Sequence, residues 1–309
     1  GGNLSYGTIS AISESPFQFG LLYTGSDDGM IYTSDNGGVS WQMIYSSFPA
    51  QNRVSCLLAS KHKQERVYAI LQNSNHQALI FRSNNMGKSW DNLKANLPEE
   101  TANVIVEDPS NEQVLYLGTE NGLYVSFDMG EKWHVFKQNL PRTSVSAIAI
   151  NPQDNQLYIG TKGHGFFTAN IASLREIRAA VQDQLFYPLK DTYSIKYSAQ
   201  WGNAENPWAA PKIPVLYLES FASMDGTEVK ISVVKNKITL SKFSYQTKVG
   251  FNYIPFDLVF NEEGRIAYEK KLLTTFKKAD NGKCYLPKGT YQLIFEVEGF
   301  EQERTLVIE

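Results

Sequence analysis

The 309-residue sequence predicts an all-β chain: about four blades of a partial β-propeller, one short linking helix, and a C-terminal β-sandwich. Three observations predict it. A Ser…Trp motif recurs at a blade-sized interval, paired strand-like runs precede each copy, and the last hundred residues alternate apolar and polar between turns.

Composition bounds the problem before any motif is read. A hydrophobic fraction of 42% with 20% charged residues is that of a globular protein. Aromatics reach 13%, and such residues favour pleated, half-buried strands. The net charge of −3 is interspersed, so the chain has no basic footprint for nucleic acid. No apolar run approaches a membrane span. Cys56 and Cys284 fall in different predicted domains, which excludes a disulfide framework or a cysteine-based zinc site. No metal and no cofactor is expected, since the four histidines show no ligand spacing. Gly1-Gly2-Asn3-Leu4 lacks the basic start and apolar core of a secretory signal, and the chain reads as if it begins mid-protein.

The repeat is the strongest signal. Ser34-Asp35-Asn36-Gly37-Gly38-Val39-Ser40-Trp41, Ser83-Asn84-Asn85-Met86-Gly87-Lys88-Ser89-Trp90 and Ser126-Phe127-Asp128-Met129-Gly130-Glu131-Lys132-Trp133 share one pattern. Their tryptophans lie 49 and 43 residues apart (90 − 41 and 133 − 90), and Pro49, Pro98 and Pro141 repeat at the same two intervals. A period in the forties is one four-stranded blade.

Each box is expected to turn the third strand of a blade into the fourth. Gly38, Gly87 and Gly130 supply a positive φ, Asn36, Asn85 and Asp128 bond the turn's N–H groups, and the tryptophan covers the turn. Ahead of the boxes come strand pairs such as Ile9–Ser13 with Leu21–Gly25, and Asn103–Val106 with Val114–Gly118. A fourth unit opens with Val145–Ile150 and Leu157–Thr161, continues through Gly165–Asn170, and stops without a box. The blades are assigned to residues 1–170. Missing blades and a closing strand are expected upstream of Gly1; a closed four-bladed ring is the alternative. An open fan would expose blade faces and self-associate, so a homo-oligomer is expected.

Residues 171–214 are assigned to a linking helix and an irregular crossover. Ser173 and Glu176 form a capping box, and Leu174, Ile177 and Val181 follow at helical spacing. Trp201 and Trp208 invite a sugar-stacking platform, but a crossover packed between domains is favoured for so much apolar area. From residue 215 to 309 the chain reads as a sandwich: Val229–Val233, Gly250–Leu258, Leu286–Val297 and Thr305–Ile308 are its clearest strands.

The box resembles the Asp-box, or BNR, repeat of sialidases, sortilin-type receptors and xyloglucanase-like propellers. Two of its three copies carry Asn where that family prefers Asp, and an amide oxygen accepts the same hydrogen bond. Tyr6–Ile12, Tyr23–Gly29 and Gly160–Gly165 resemble the C-terminal portion of a sortilin-like or xyloglucanase-like propeller; Lys162 and His164 stand where that family writes His and Arg. The Gly250-Phe251-Asn252 run and the Leu286-Pro287-Lys288-Gly289-Thr290-Tyr291 turn resemble an Ig-like module related to the flagellar hook-capping protein. In Gly289 and Tyr291 we read a turn glycine and a core-edge tyrosine. The resemblance implies a bacterial secreted or surface protein, extracellular or periplasmic, and specifies architecture rather than activity.

No catalytic constellation is legible. A glycosidase needs two carboxylates across a cleft, and the arginine triad by which sialidases resemble one another is not matched by Arg53, Arg66, Arg82 and Arg142. Turns between second and third strands line the propeller's mouth by convention, and they place Asp27, Asp28, Asn75, His76, Glu120, Asn121, Lys162 and His164 there. Asp28, His76, Glu120, Lys162 and His164 are the candidate binding residues, although Asp-Gly and Asn-Gly also serve simply as hairpin turns. The expected function is non-catalytic binding of a glycan or peptide. The alternative is the C-terminal part of a glycoside hydrolase whose catalytic residues lie upstream.

Overall fold

The structure, a computed structural model, describes residues 7–44, 52–73, 75, 77–136, 140–172, 174, 185–206 and 208–309. It divides into two compact units, Gly1–Arg175 and Glu176–Glu309.

The first unit is a row of small antiparallel sheets. The first contains β1 (Ile9–Glu14), β2 (Leu22–Ser26), β3 (Ile31–Ser34) and β4 (Gln42–Ile44) in that order. The second contains β5 (Arg53–Ala59), β6 (Val67–Gln72), β7 (Leu79–Ser83) and β8 (Asp91–Asn92). The third contains β9 (Ala102–Asp108), β10 (Asn111–Thr119), β11 (Leu123–Ser126) and β12 (His134–Phe136). The fourth has three strands among the described residues: β13 (Val145–Asn151), β14 (Gln156–Thr161) and β15 (Phe166–Asn170). These are propeller blades, as the period predicts.

The box turns work as the sequence implies, with one partner it did not name. Asn36, Asn85 and Asp128 each accept a backbone N–H four residues on, at 3.0, 2.8 and 2.9 Å. The opening serine is equally important: Ser34, Ser83 and Ser126 Oγ accept the N–H of Gly38, Gly87 and Gly130 at 2.9, 2.8 and 2.8 Å. Both central residues of each turn are left-handed, Gly37, Met86 and Met129 at φ 73°, 57° and 59°, then Gly38, Gly87 and Gly130 at 87°, 84° and 92°. The second of these positions needs glycine for space as well as φ in blade two. A Cβ on Gly87 would lie 2.5 Å from Ile44 of the preceding blade.

The tryptophans differ from expectation. Trp133 is buried in the core between blades two and three and donates Nε1–H to the Leu93 carbonyl at 2.9 Å. Trp90 packs against the core between blades one and two. Trp41 lies over its own turn, near Gly38, and is 42% exposed. The box tryptophan therefore reaches to the preceding blade where one is present.

Each blade has one face toward its predecessor and one toward its successor. Tyr23, Ile31 and Ile44 of blade one meet Val54, Leu57, Leu71 and Phe81 of blade two. Tyr68, Ile70 and Ile80 of blade two meet Ala102, Ile105 and Leu117 of blade three. Toward the hub, the second strand of a blade lies so close to the next blade's inner strand that a side chain is excluded: a Cβ on Gly25 of β2 would lie 2.3 Å from Val54 of β5, and one on Gly118 of β10 2.6 Å from Val145 of β13. Ser10 Oγ donates to the Val54 carbonyl at 2.6 Å and Asn103 Nδ2 to the Val145 carbonyl at 3.0 Å, so the inner strands are also pinned by hydrogen bonds.

The second unit stacks two sheets over one core. β16 (Phe186–Pro188), β18 (Leu216–Ala222) and β21 (Gly250–Phe256) form one. The other runs β17 (Thr192–Ile195), β23 (Phe300–Ile308), β22 (Gly289–Val297), β19 (Glu228–Lys235) and β20 (Ile238–Gln246), with β17 parallel to β23. Leu218, Ile231, Ile254, Leu293 and Leu306 fill the space between them.

Three expectations need correction here. The stretch assigned to an irregular crossover contributes strands β16 and β17 to these sheets, because Phe186 and Tyr193 are buried in their shared core. Trp201 and Trp208, favoured as parts of a crossover packed between domains, differ from that and from each other: Trp201 is buried in the second unit's own core, edge-on to Tyr197 at 5.2 Å, while Trp208 is 95% exposed. A helix the strand reading missed, α1 (Glu262–Leu272), follows β21. Its signals were present: Asn261 caps Gly264 N–H at 2.9 Å, acids open the helix, and Lys270 and Lys271 close it. The linking helix predicted from Ser173 onward lies largely outside the described residues.

Candidate functional site

The turns joining second to third strands, with the connections entering each inner strand, make up one face of the blades. We call it the mouth; the boxes lie at the opposite ends of the strands. Asp27 and Asp28 of the first blade are tied to their own surroundings. Asp27 Oδ1 accepts Thr8 N–H at 2.7 Å, while Asp28 accepts from the Ser26 hydroxyl and from Met30 N–H. In the second blade Asn75 N–H bonds the Asn73 side chain at 3.0 Å, and His76 lies outside the described residues.

Blades three and four carry a connected polar array. Glu100 is buried, and its Oε2 accepts Asn121 Nδ2–H at 2.7 Å. Asn121 Oδ1 in turn accepts Arg142 Nε–H at 3.1 Å. The next residue, Thr143, places its hydroxyl 2.9 Å from His164 Nδ1. Backbone bonds set the register: Glu120 N–H to the Thr101 carbonyl at 3.0 Å, and Lys162 N–H to the Ser144 carbonyl at 2.8 Å. Glu100 Oε1 has no hydrogen bond of good geometry, although the Tyr124 phenol lies beside it. Burial first, and then that carboxylate, push the Tyr124 phenol well above its ordinary range.

Of the sequence candidates, then, Glu120, Lys162 and His164 flank one array spanning two blades, and Asp28 stands apart on the first. Glu100, Tyr124, Arg142 and Thr143 were missed. A signal existed: Thr101 and Ser144 each follow a repeated proline, Pro98 and Pro141, by three residues, and each presents the carbonyl that receives a mouth turn. The connections entering the inner strands are therefore as much a part of the mouth as the hairpin turns.

A second polar cluster lies at the box ends of blades two and three. Arg66 and Glu107 are both buried, Nη1 to Oε1 at 3.5 Å. Glu107 also accepts from Ser60 Oγ at 2.8 Å, Lys61 N–H at 2.8 Å and the Tyr68 hydroxyl at 3.2 Å. Arg66 further holds Asn84 and Glu112. A cleft of about 350 Å³ opens beside it, lined by Lys63, Glu65, Arg66, Arg82, Asn84 and Met129. Its three cations, Lys63, Arg66 and Arg82, pair with Glu107, Glu112 and Asp91, and Glu65 adds a further carboxylate, so the cluster joins blades and offers no excess positive charge to a ligand. Among the described residues no group of three metal-ligating side chains converges.

A profile of the sortilin family (sortilin, neurotensin receptor 3) matches residues 78–187, which is 110 of 309 residues (187 − 77). No curated protein sequence matches the chain. Among solved structures it is similar to YCF48 bound to D1 peptide, at 15% identity and a TM-score of 0.39, covering 53% of this chain and 51% of that one. It is also similar to the GH74 xyloglucanase from Xanthomonas campestris, at 12% identity and a TM-score of 0.43, covering 97% and 47%. A GH74 enzyme from Niastella koreensis shows 10% identity and a TM-score of 0.42, covering 96% and 65%. The chain spans about half the length of the first two. Likeness at this level transfers no residue role.

Proposed function

We propose that the chain is a non-catalytic binding portion of a larger bacterial secreted or surface protein, acting outside the cytoplasm. Its ligand is a glycan or an extended peptide held at the mouth of blades three and four. The observation that carries this reading is the array Glu100–Asn121–Arg142 with Thr143–His164, which offers donors and acceptors from two blades to one surface. The sortilin profile over residues 78–187 supports a receptor-like role for those same blades. The carboxylates at this face are engaged: Asp27, Asp28 and Glu100 each accept a hydrogen bond from the protein, which favours recognition over acid–base work.

The second unit fits an Ig-like module. Its sheet orders, the parallel pairing of β17 with β23, and the Tyr291 hydroxyl donated to the Pro287 carbonyl at the start of β22 support that reading.

Glycan and peptide arrays probed with the whole chain test the proposal, alongside an Arg142→Ala/His164→Ala double variant, both side chains being exposed. Binding weakened tenfold or more, with thermal unfolding unchanged, is the expected result. Equal binding by the variant refutes the mouth assignment. Glycan hydrolysis by this chain, lost in Glu120→Gln, refutes the non-catalytic reading.

A further inference from the structure

The second unit carries its charges unevenly. In its five-stranded sheet, Ile195 and Gly289 both pair with Ile308, Val234 with Gln292, and Lys235 with Ile238. The C-terminal ends of β17, β23 and β19 and the N-terminal ends of β22 and β20 therefore share one end of the sheet. The residues at those five strand ends are Lys196, Glu309, Lys235, Lys288 and Lys237, four lysines and one acid. Helix α1 brings two more lysines to the same place. Lys271 Nζ donates to the Asn236 carbonyl at 3.0 Å, in the turn between Lys235 and Lys237, and Lys270 is its neighbour.

Among the described residues none of these six lysines makes an ion pair, whereas Lys190, Lys230 and Lys283 of the same unit pair with Glu219, Glu296 and Asp257. Lys235 and Lys288 rest 4.4 and 5.8 Å from the ring centroids of Tyr291 and Tyr197, which positions their ammonium groups without neutralising them. Glu269, in the last turn of α1, is already engaged by Arg265 Nη1, 2.7 Å from both carboxylate oxygens. Beyond Lys271 the helix ends at the left-handed Leu273, which is 93% exposed, beside the exposed Leu272. The opposite end of the sheet is acidic: Asp225 and Glu228 lie at the start of β19, and Glu296, Glu298 and Glu301 about the β22–β23 turn. That acidic end is also where the chain enters the unit, the Leu185 carbonyl accepting Ser223 N–H at 3.1 Å.

We propose that this basic end docks on an anionic lipid surface, a property separate from ligand binding at the mouth. The unpaired lysines supply an attraction to acidic headgroups that salt screens. Leu272 and Leu273 supply the apolar contact that reaches the acyl boundary beneath them. Two features choose this occupant. All six cations are lysines, compact charges on flexible stems that suit a diffuse negative surface, while the unit's described arginines, Arg265 and Arg304, face Glu262, Glu269 and Asp191. Exposed leucines among lysines fit a partner with an apolar layer under its charges, which a soluble polyanion lacks. The acidic end, repelled by the same surface, fixes which way the unit faces.

Cosedimentation of the whole chain with phosphatidylcholine vesicles containing roughly one-third phosphatidylglycerol, and with pure phosphatidylcholine vesicles, tests this. Binding to the anionic vesicles alone, lost as salt is raised, is the expected result. Lys237→Glu/Lys270→Glu alters two exposed residues and should weaken binding about tenfold or more. Leu273→Asn keeps a residue that tolerates left-handed backbone and should also weaken it. Lys230→Glu/Lys248→Glu makes the same charge change toward the acidic end and should leave binding intact. Thermal unfolding should be unchanged in all three. Failure to bind anionic vesicles overturns the proposal, as do equal binding to pure phosphatidylcholine, indifference to the Lys237/Lys270 change, and an equal loss in the Lys230/Lys248 control. Equally tight binding of soluble polyglutamate, with Leu273→Asn without effect, assigns the patch to acidic polymers and overturns it too.

Discussion

Replacing Glu107 with Gln tests whether the buried cluster between blades two and three stabilises the first unit or merely occupies space. The carboxylate is fully buried and pairs with Arg66, whose side chain is 3% exposed. It also accepts from Ser60, Lys61 N–H and the Tyr68 hydroxyl. Glutamine keeps the volume but turns one acceptor into a donor, which must then face a donor. Leaving a buried donor unsatisfied costs about 1–3 kcal/mol, and losing charge assistance on the remaining bonds adds about 1 kcal/mol. Arg66 keeps Glu112 at 3.2 Å as a counter-charge, which limits the loss. We expect about 3 kcal/mol for Glu107→Gln, and about 4 kcal/mol for Glu107→Ala, which also opens a cavity. Arg66→Met combined with Glu107→Leu should recover part of this, because no lone buried charge remains. The assay is urea unfolding with hydrogen exchange read separately on β6 and β9, the second unit's strands serving as an internal control. A Glu107→Gln cost below about 0.5 kcal/mol would refute the account, since that is the range of surface substitutions.

Three further outcomes follow from the same structure. Ser126→Ala removes the acceptor for Gly130 N–H and should cost about 1–2 kcal/mol in urea unfolding, and more than Ser34→Ala, whose box is less buried. Gly118→Ala places a methyl against Val145 and Val104 at the hub and should cost about 1–3 kcal/mol by overpacking, with Gly160→Ala close to neutral in the same melt. Burial, and then the Lys132 ammonium, pull His134 from 6.5 down to about 4. Between those values the unfolded chain binds a proton that the folded chain refuses, so stability present above pH 6.5 falls as pH drops toward 4. The loss is about 3 kcal/mol, and His134→Phe should remove it from a pH series of unfolding curves.

Much of the fold was legible because blade architecture is written at short range. The box turn needs left-handed backbone at fixed offsets, so its glycines, Asx residues and period stand out in the text. Strand alternation likewise betrayed most strands of both units. The helix α1 was missed although its cap and charges were on display, because surrounding strand patterns outweighed an eleven-residue segment with only Gly264 and Tyr268 buried. At the mouth, the hairpin turns were legible as turn chemistry. Glu100, Arg142 and Thr143 were not, since they come from connections whose pairing partners lie in other blades.

The sequence by itself determined the repeat, the number of blades begun, and the residues that close each turn, for these depend on neighbours a few positions away. Only the tertiary structure decided what each face meets. Tyr23, Tyr68, Tyr116 and Tyr158 read alike along the chain, and Trp41, Trp90 and Trp133 do too, yet their burial differs with the blade beside them. Burial is a property of the pair of surfaces, and a linear text names only one of them.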